Sequence, residues 1–291
     1  MAQAGHLTQS RAAAPLVSAV TWLRIGIIAA ALLTWQAAAL WGASLSKINP
    51  ALSTLLSKVT PSLLVVAESL AEVLFHPDLK WPIDLGIGSW RFTQELWIPS
   101  FYWHLYVTAA EVVVATIIGG LAGIAVGIAL GAKPFLSRAF ERYFYYLGPT
   151  PKVVFFPILI LWFGVGPESK IAMGTLSCFF PIVLSVAAGM RQIDGVLIRV
   201  GRSFRLNSWQ MVTKIYLPAM RQPILNGVRL GMGVALIGTL LAETRLSNKG
   251  IGFMVTDAYN TFDMPRMYAV LVVLFAVAIG ANALVARVSR R

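Results

Sequence analysis

Long apolar segments separated by short polar ones run through most of the chain. Six windows are apolar enough to predict membrane-spanning helices, because about 20 mostly apolar residues are needed to cross about 30 Å of hydrocarbon. The predicted spans are residues 22–45, 101–131, 151–165, 169–190, 218–242 and 267–286. The third window is short, and either a tilt or an extension by residues 142–148 would complete it.

The segment between the first two spans, residues 46–100, is mixed in character. Within it, residues 61–75 place Glu68 and Glu72 on one side of a helix and leucine and alanine on the other. This pattern is typical of a helix lying on a membrane surface, and a further, weakly apolar span is the alternative. Residues 76–99 predict an interfacial loop because they carry the anchoring aromatics Trp81, Trp90 and Trp97.

Composition supports a lipid-solvated chain. Hydrophobic residues make up 57% of the 291 residues and charged residues only 12%, whereas soluble domains carry about 25% charged residues. The mean hydropathy is +0.73. The single cysteine, Cys178, lies inside a predicted span, so it is interpreted as a buried small apolar residue and a disulfide framework is excluded.

The net charge of +12 comes from basic residues in the short segments between spans. A nucleic-acid-binding protein would gather them on one polar face instead. With both termini in the cytoplasm, most of the 24 Lys and Arg residues fall in cytoplasmic segments, as the positive-inside rule requires.

Several polar or small residues inside the spans are candidates for function or packing. Glu111 lies in the second span, where a charge is costly, so we expect it to face a cavity, a partner or the transport pathway, or to snorkel to the outer surface. Arg229 in the fifth span is either a pathway cation or a snorkelling side chain. A stripe of small residues predicts close helix packing within the subunit, with a dimer seam as the alternative. It consists of Gly119, Gly123, Gly127 and Gly131.

The histidines His6, His76 and His104 share no metal-ligand spacing, and no catalytic arrangement is visible. We therefore predict neither a metal site nor a catalytic site.

The most informative segment, residues 194–217, lies between the fourth and fifth spans. Asp194 and Ser208 are placed to cap two short amphipathic helices, which would project Trp209, Met211 and Val212 as a compact knob with basic flanks. Such a knob suits a groove on a partner protein, or else its arginines bind anionic lipid headgroups.

This segment resembles the coupling loop of binding-protein-dependent ABC importer permeases. The family pattern is Glu-Ala-Ala, three residues, Gly, nine residues, Ile, one residue and Leu-Pro; Ile215, Leu217 and Pro218 match it. The positions that differ hold Arg199, Val200, Gly201 and Arg205, in place of Glu, Ala, Ala and Gly. Because Arg205 replaces the glycine, the turn is expected to close at Asn207 instead.

Further segments are similar to the nitrate, sulfonate, taurine and bicarbonate branch of that family. They read PTPK at 149–152, FPI at 156–158, LWFGVG at 161–166, SK at 169–170, FPI at 180–182, PILNGVRL at 223–230, AE at 242–243 and GIGF at 250–253. The resemblance runs from residue 102 to 272, and the first hundred residues match only loosely.

The resemblance implies an all-α type I importer permease with about six spans in the bacterial inner membrane. Its expected division is a cytoplasmic tail at 1–21, a first span at 22–45, an outer interfacial segment at 46–100, a permease core at 101–288 and a cytoplasmic tail at 289–291. It also implies two cytosolic ATPase subunits, a second permease copy (a homodimer favoured over a heterodimer) and a periplasmic solute-binding protein. The chain lacks the phosphate-binding pattern Gly-x4-Gly-Lys-Ser/Thr, so ATP and Mg are expected on the partner ATPase and no cofactor on this chain.

The residue patterns and the resemblance together give the expected functional residues. The ATPase-coupling set is Arg199, Gly201, Arg202, Arg205, Leu206, Ser208, Trp209, Met211, Val212, Leu217 and Pro218. The substrate-pathway set is Glu111, Thr150, Phe180 and Glu243, and Glu243 is expected to pair with Arg245 or to cap the outer gate. The expected cargo is a small, anionic solute such as a sulfonate, taurine, nitrate or bicarbonate, moved by alternating access. An ATP-independent transporter or channel is the alternative function.

Overall fold

The computed structural model describes residues 13–77, 79–87, 90–98 and 100–289. Residues 1–12, which form most of the predicted N-terminal tail, and Arg290 and Arg291 of the predicted C-terminal tail lie outside the described residues.

Three helices precede the core. Helix α1 covers Ala13–Ser44 and is followed by a 3-10 turn at Leu45–Lys47, by α2 at Pro50–Val59 and by α3 at Leu63–Phe75. The Asn49 side chain accepts a hydrogen bond from the Leu52 amide at 3.1 Å, so α2 begins at a conventional cap followed by proline. Helix α1 begins well before the predicted span, but its span-forming part, Thr21–Ser44, coincides with that window.

Residues predicted to form an interfacial loop form an antiparallel hairpin instead. Strand β1 covers Leu79–Ile87 and β2 covers Trp90–Ile98, with Leu79 opposite Ile98 and Ile87 opposite Trp90. The three aromatic anchors of the predicted loop lie within these strands. Tryptophan and other aromatics favour extended backbone, which explains why an aromatic-rich segment pairs rather than staying irregular.

The remaining elements are helical, as predicted for an all-α protein. They are α4 (Ser100–Ala132), α5 (Pro134–Leu147), α6 (Phe156–Phe163), α7 (Pro167–Arg191), α8 (Gly195–Ser203), α9 (Ser208–Met211), α10 (Leu217–Ala219), α11 (Arg221–Glu243), α12 (Ile251–Asn260) and α13 (Met264–Ser289). A 3-10 turn at Lys152–Phe155 leads into α6, and a π-helical turn at Val212–Tyr216 follows α9.

Five helices in the described ranges are long and apolar enough to cross a membrane. They are Thr21–Ser44, Ser100–Ala132, Pro167–Arg191, Arg221–Glu243 and Met264–Ala283. Two bent pairs raise the number to seven if each forms one span: α2 with α3, bent by 47°, and Pro134–Leu147 with Lys152–Phe163, bent by 94°. The short third predicted span is therefore the second arm of a sharply bent pair rather than a tilted helix.

The core is built on α4, α7 and α11. Helices α4 and α7 run parallel, because Gly119 meets Cys178 and Gly131 meets Met190, and α11 packs antiparallel to both. We call the end of the bundle that carries the start of α4 the Ser100 end, and the opposite end the Ala132 end. Buried side chains of all three helices, including Val112, Ile182 and Ala235, form the main apolar cluster.

The glycine stripe of α4 faces α7 within the same subunit. A Cβ atom at Gly123 would lie 2.9 Å from Ile182 Cγ2, and one at Gly127 would lie 2.7 Å from Val186 Cβ. Cβ atoms at Gly119 and Gly131 would overlap Cys178 and Met190. Cys178 is fully buried in this contact, as expected.

Helix α3 lies against the Ser100 end of the bundle, where it packs on α13. Its first turn is tied to α1, since the Leu63 amide donates to Gln36 Oε1 at 3.0 Å and Trp35 Nε1 donates to the Pro61 carbonyl at 3.0 Å. Near its other end, Val73 and Leu74 pack beside Phe101. Helix α3 therefore joins α1 to the contact between α4 and α13 at that end.

Replacing Gly127 with valine should force α4 and α7 apart. We expect a loss of about 1–3 kcal/mol in the free energy of unfolding, because the added methyl groups have no space beside Val186. Thermal unfolding of the purified protein in detergent measures this. The matched control is Gly280→Val in α13, where a Cβ meets no atom within 4 Å. An equal loss of stability in both variants would contradict the close packing.

Candidate functional site

The loop at 194–217 joins α7 to α11 at the Ala132 end. Asp194 caps α8 by accepting a hydrogen bond from the Val196 amide at 2.8 Å, as predicted from its position. The cap of α9 is Asn207 rather than the predicted Ser208. Asn207 and Gln210 form a reciprocal capping box, with Gln210 N donating to Asn207 Oδ1 at 2.8 Å and Asn207 N donating to Gln210 Oε1 at 3.0 Å.

The turn between α8 and α9 closes at Arg205. This residue adopts a left-handed conformation with φ of 52°, while Asn207 is extended, so the expectation that Asn207 would replace the missing glycine is wrong. The Leu206 amide donates to the Gly201 carbonyl at 3.1 Å and the Arg205 amide donates to the Arg202 carbonyl at 2.9 Å. These two bonds form a Schellman motif, which satisfies the last carbonyls of α8.

Gly201 lies under the turn. It is buried, and a Cβ atom there would overlap Met211 and Ile215. Met211 is buried as well, which corrects the prediction that it projects from the knob. The small residue therefore lets α8 close onto the segment that leads back to the membrane.

The outer surface of the loop is apolar and basic. Arg199, Arg202 and Arg205 are all exposed, and Trp209 is 73% exposed. Leu206 and Val212 are partly buried, and Ser208, Leu217 and Pro218 are exposed. Exposed apolar side chains that sequence reasoning missed complete the surface, namely Val196, Leu197, Val200 and Phe204. We call this set, together with Trp209 and the three arginines, the knob surface.

A second cluster lies at the Ser100 end, between α4, α7 and α11. Glu111 is 3% exposed and Glu243 is 1% exposed, and their carboxyl groups lie side by side near the buried Lys170. Glu111 therefore does not snorkel to the surface. Its Oε2 atom has no hydrogen-bond partner among the described residues.

The Glu243 side chain accepts hydrogen bonds that hold the start of α12 in place. Its Oε1 accepts a hydrogen bond from Thr108 Oγ1 at 2.7 Å, and its Oε2 accepts one from the Gly252 amide at 2.7 Å. The Thr108 hydroxyl in turn accepts from the Ile251 amide at 2.9 Å. Glu243 thus caps a helix N-terminus, where negative charge is favourable, and does not pair with Arg245.

Gly250 and Gly252 make this contact possible. Gly250 has a φ of 98°, and a Cβ atom there would overlap the Glu243 carboxyl group. A Cβ at Gly252 would lie 2.7 Å from Glu243 Cβ. The AE and GIGF segments quoted from the sequence are therefore two halves of one contact.

The four residues of the predicted pathway set do not converge on one place. Thr150 and Phe180 lie apart from the two glutamates, around Lys152 at the bend after α5. Lys152 Nζ donates to the Thr150 carbonyl at 3.2 Å and lies 5.1 Å from the Phe180 ring centroid. Arg229 is bound to Asn282 Oδ1 at 3.0 Å and links α11 to α13. A pathway role for these residues stays a prediction.

Among the described residues, no group of three or more His, Cys, Asp or Glu side chains is arranged to hold a metal ion.

The helical bundle, with an exposed loop between α7 and α11, is consistent with a membrane permease, and the family comparison identifies which one. The chain belongs to the family described as binding-protein-dependent transport system inner membrane component, which matches residues 119–291.

The chain is similar to permeases of the nitrate, sulfonate and taurine branch. The taurine transport system permease protein TauC of Escherichia coli (strain K12) is 31% identical over 159 residues, which cover 55% of this chain and 58% of TauC. The putative aliphatic sulfonates transport permease protein SsuC of Bacillus subtilis (strain 168) is 29% identical, covering 64% of this chain and 67% of SsuC. The nitrate import permease protein NrtB of Leptolyngbya laminosa is 26% identical, covering 72% and 77%. The alignment thus spans less than two thirds of the taurine permease.

The fold is also that of a solved transporter. An inward-facing structure of the MetNI methionine ABC transporter matches with a TM-score of 0.58 and 19% identity, covering 64% of this chain and 93% of that chain. The predicted type I importer permease fold is confirmed.

Substituting Thr108 with valine should loosen the start of α12. The Ile251 amide and Glu243 Oε1 would each lose a partner in a buried place, which costs about 1–3 kcal/mol. Thermal unfolding and amide exchange at Ile251 measure the effect. The control is Thr116→Val in the same helix, whose hydroxyl donates only to its own helix at Val112. Comparable losses in both variants would exclude the proposed contact.

Replacing Arg205 with glycine should stabilise the turn. A left-handed arginine costs about 1–2 kcal/mol that glycine avoids. Amide exchange at Leu206 should therefore slow in Arg205→Gly and speed up in Arg205→Val. Arg202→Gly is the matched control, because glycine in the last turn of α8 lowers helix stability. Faster exchange in Arg205→Gly would contradict the left-handed geometry.

Proposed function

We propose that this chain is the membrane-spanning permease subunit of an ATP-driven importer, coupled to a separate ATPase through the knob surface. The observation that carries the proposal is the rigid, exposed and apolar surface at 194–217, built by two capped helices and a Schellman turn. A group of exposed apolar side chains on one loop, rather than a single one, marks an interaction surface, and here Val196, Leu197, Val200, Phe204 and Trp209 form that group. The arginines around it supply charge complementarity to an acidic partner surface.

The charge distribution supports a cytoplasmic Ala132 end. Basic residues cluster there and in the adjoining loop, as the positive-inside rule requires of a cytoplasmic face. They are Lys133, Arg138, Arg142, Arg191, Arg199, Arg202, Arg205, Lys214 and Arg221. In this orientation the knob surface faces the cytosol, the Ser100 end faces the periplasm, and both termini are cytoplasmic in the inner membrane.

The proposed complex contains two permeases, two ATPases and a periplasmic solute-binding protein. The permease itself is non-catalytic and binds no cofactor, and ATP and Mg belong to the ATPase. Two identical permeases are favoured, and a pair with a more regular permease is the alternative suggested by the arginines in the coupling loop.

The packing of the core supports transport by alternating access. Helices α4, α7 and α11 share one close-packed core, so a force on the loop between α7 and α11 moves them together. Because Glu243 ties the start of α12 to α4 and α11, that movement would also reach the periplasmic end. Rigid helix movement of this kind is a common basis of switching between two states.

The cargo proposed from the relatives is a small solute with an anionic group, in the range of sulfonates, taurine and nitrate.

Co-purification tests the coupling surface. We expect the wild-type permease to retain a candidate ATPase in detergent, and Trp209→Ala combined with Arg205→Glu to release it, because the change removes both apolar area and charge attraction. Pull-down followed by ATPase activity with the binding protein is the measurement.

The matched control is Trp162→Ala in α6, since Trp162 is 75% exposed but lies outside the loop. Retention of the ATPase by the double variant would contradict the coupling role of the knob surface, whereas no binding by the wild type would favour an ATP-independent transporter instead.

A further inference from the structure

An open cavity of about 580 Å³ lies at the Ser100 end, between the α6–α7 turn, the end of α11 and one face of α12. Its polar lining includes Arg245, Ser247, Asn248, Thr256, Asp257 and Asn260. Three of these residues belong to α12 at spacings of one, three and four, so they share the same face of that helix. From the sequence, Arg245 was named only as a possible partner of Glu243, and the other five were not singled out.

Arg245 and Asp257 both line this cavity, and a hydrogen bond joins the residues that precede them. Thr256 Oγ1 donates to the Thr244 carbonyl at 3.5 Å, so the chain segments that carry the two charged residues are neighbours. The same hydroxyl also donates to the Gly252 carbonyl at 3.1 Å, which ties this crossing to the start of α12. The two hydrogen bonds of Thr256 therefore hold together the segments that carry the two charged residues.

Neither charge is neutralised by the protein. In the part of the chain that the structure describes, the ion pair found joins Arg191 to Glu141 at the opposite end, and no ion pair involves Arg245 or Asp257. Arg245 is exposed to the cavity. A guanidinium and a carboxylate that face the same space without pairing are complementary to a ligand that carries both charges.

The surrounding charges disfavour a simple inorganic anion. Glu243 also borders the cavity, and its carboxylate is engaged by Thr108 and Gly252. Glu168 lies beside the cavity-lining Gly166. Lys170 is buried next to the glutamates, and Lys249 lies 5.8 Å from the Trp103 ring centroid. An anion bound at Arg245 would therefore meet Asp257 as an uncompensated negative charge, unless the ligand brings a cation of its own.

We propose that this cavity binds a small zwitterion, with its sulfonate or carboxylate on Arg245 and its ammonium on Asp257. The arginine fork can donate two parallel hydrogen bonds to such an acid group. The side chains of Ser247, Asn248 and Asn260 supply further donors and acceptors around it. The inference rests on the proposed importer function, because the occupant is the solute in transit, and it narrows the cargo from anions in general to amino acids and amino sulfonates.

Binding to the permease alone tests the proposal. The purified chain in lipid nanodiscs, without ATPase or binding protein, is titrated with taurine, ethanesulfonate and nitrate, and binding is followed by saturation-transfer NMR of the ligand. We expect taurine to bind more tightly than ethanesulfonate, and nitrate to bind most weakly. Arg245→Gln should weaken both sulfonates at least about tenfold, because it removes the charge and the paired donors that bind the sulfonate group.

The Asp257→Asn variant gives the decisive comparison. It should weaken taurine and tighten ethanesulfonate, because it removes the carboxylate that binds the ammonium group and repels a plain anion, so that the preference for taurine is lost. Lys249→Gln and Glu68→Gln are the controls, because they remove exposed charges that do not line the cavity. Absence of taurine binding in the wild type, or equal effects of Asp257→Asn on both sulfonates, would overturn the proposal.

A protein-docking role is a separate outcome. If Arg245→Gln leaves taurine binding unchanged but lowers stimulation of the complex by the binding protein, the surface recognises that protein and the proposal is overturned. Retention of the ATPase through the knob surface is measured independently. Failure of ligand binding would therefore contradict the zwitterion site alone, whereas failure of ATPase retention would contradict the proposed importer function.

Discussion

Close parallel packing of α4 against α7 is the constraint on which the rest of the structure depends. Two helices that run in the same direction approach this closely only because α4 offers glycine where α7 offers Ile182 and Val186. Their alignment places Glu111 beside Lys170 at one end of the bundle. At the other end of the bundle, α7 continues into the loop that carries the knob surface, so the packing of α7 on α4 also fixes where that loop begins. A single seam thereby sets the position of both candidate sites.

Much of the fold follows from the sequence because lipid imposes a strong pattern on it. The apolar windows locate the long helices, since a span without enough apolar residues is not stable in hydrocarbon. The bend after α5 and the hairpin at 79–98 do not follow. A short apolar run is compatible with several geometries, and strand pairing depends on a partner segment that composition does not reveal.

The sites were predictable only where their contacts are local. Asp194 caps the helix that begins beside it, so its role could be read from the chain. The partner of Glu243 could not, because Thr108 is 135 positions away in the sequence. The turn at Arg205 was also missed, because two backbone hydrogen bonds impose a conformation that arginine alone disfavours. Arg245 and Asp257 become notable only when the fold sets them around one space.

Arginine at the left-handed position of the loop has a consequence beyond geometry. Glycine there would leave the turn neutral, whereas Arg205 places a permanent positive charge on an exposed turn between two helices. Attraction between exposed charges fades beyond a Debye length, about 8 Å at physiological ionic strength. In the proposed complex, the strength of docking at this surface would therefore depend on the salt concentration of the cytosol, and glycine at this position would weaken that dependence because only Arg199 and Arg202 would remain on the knob surface.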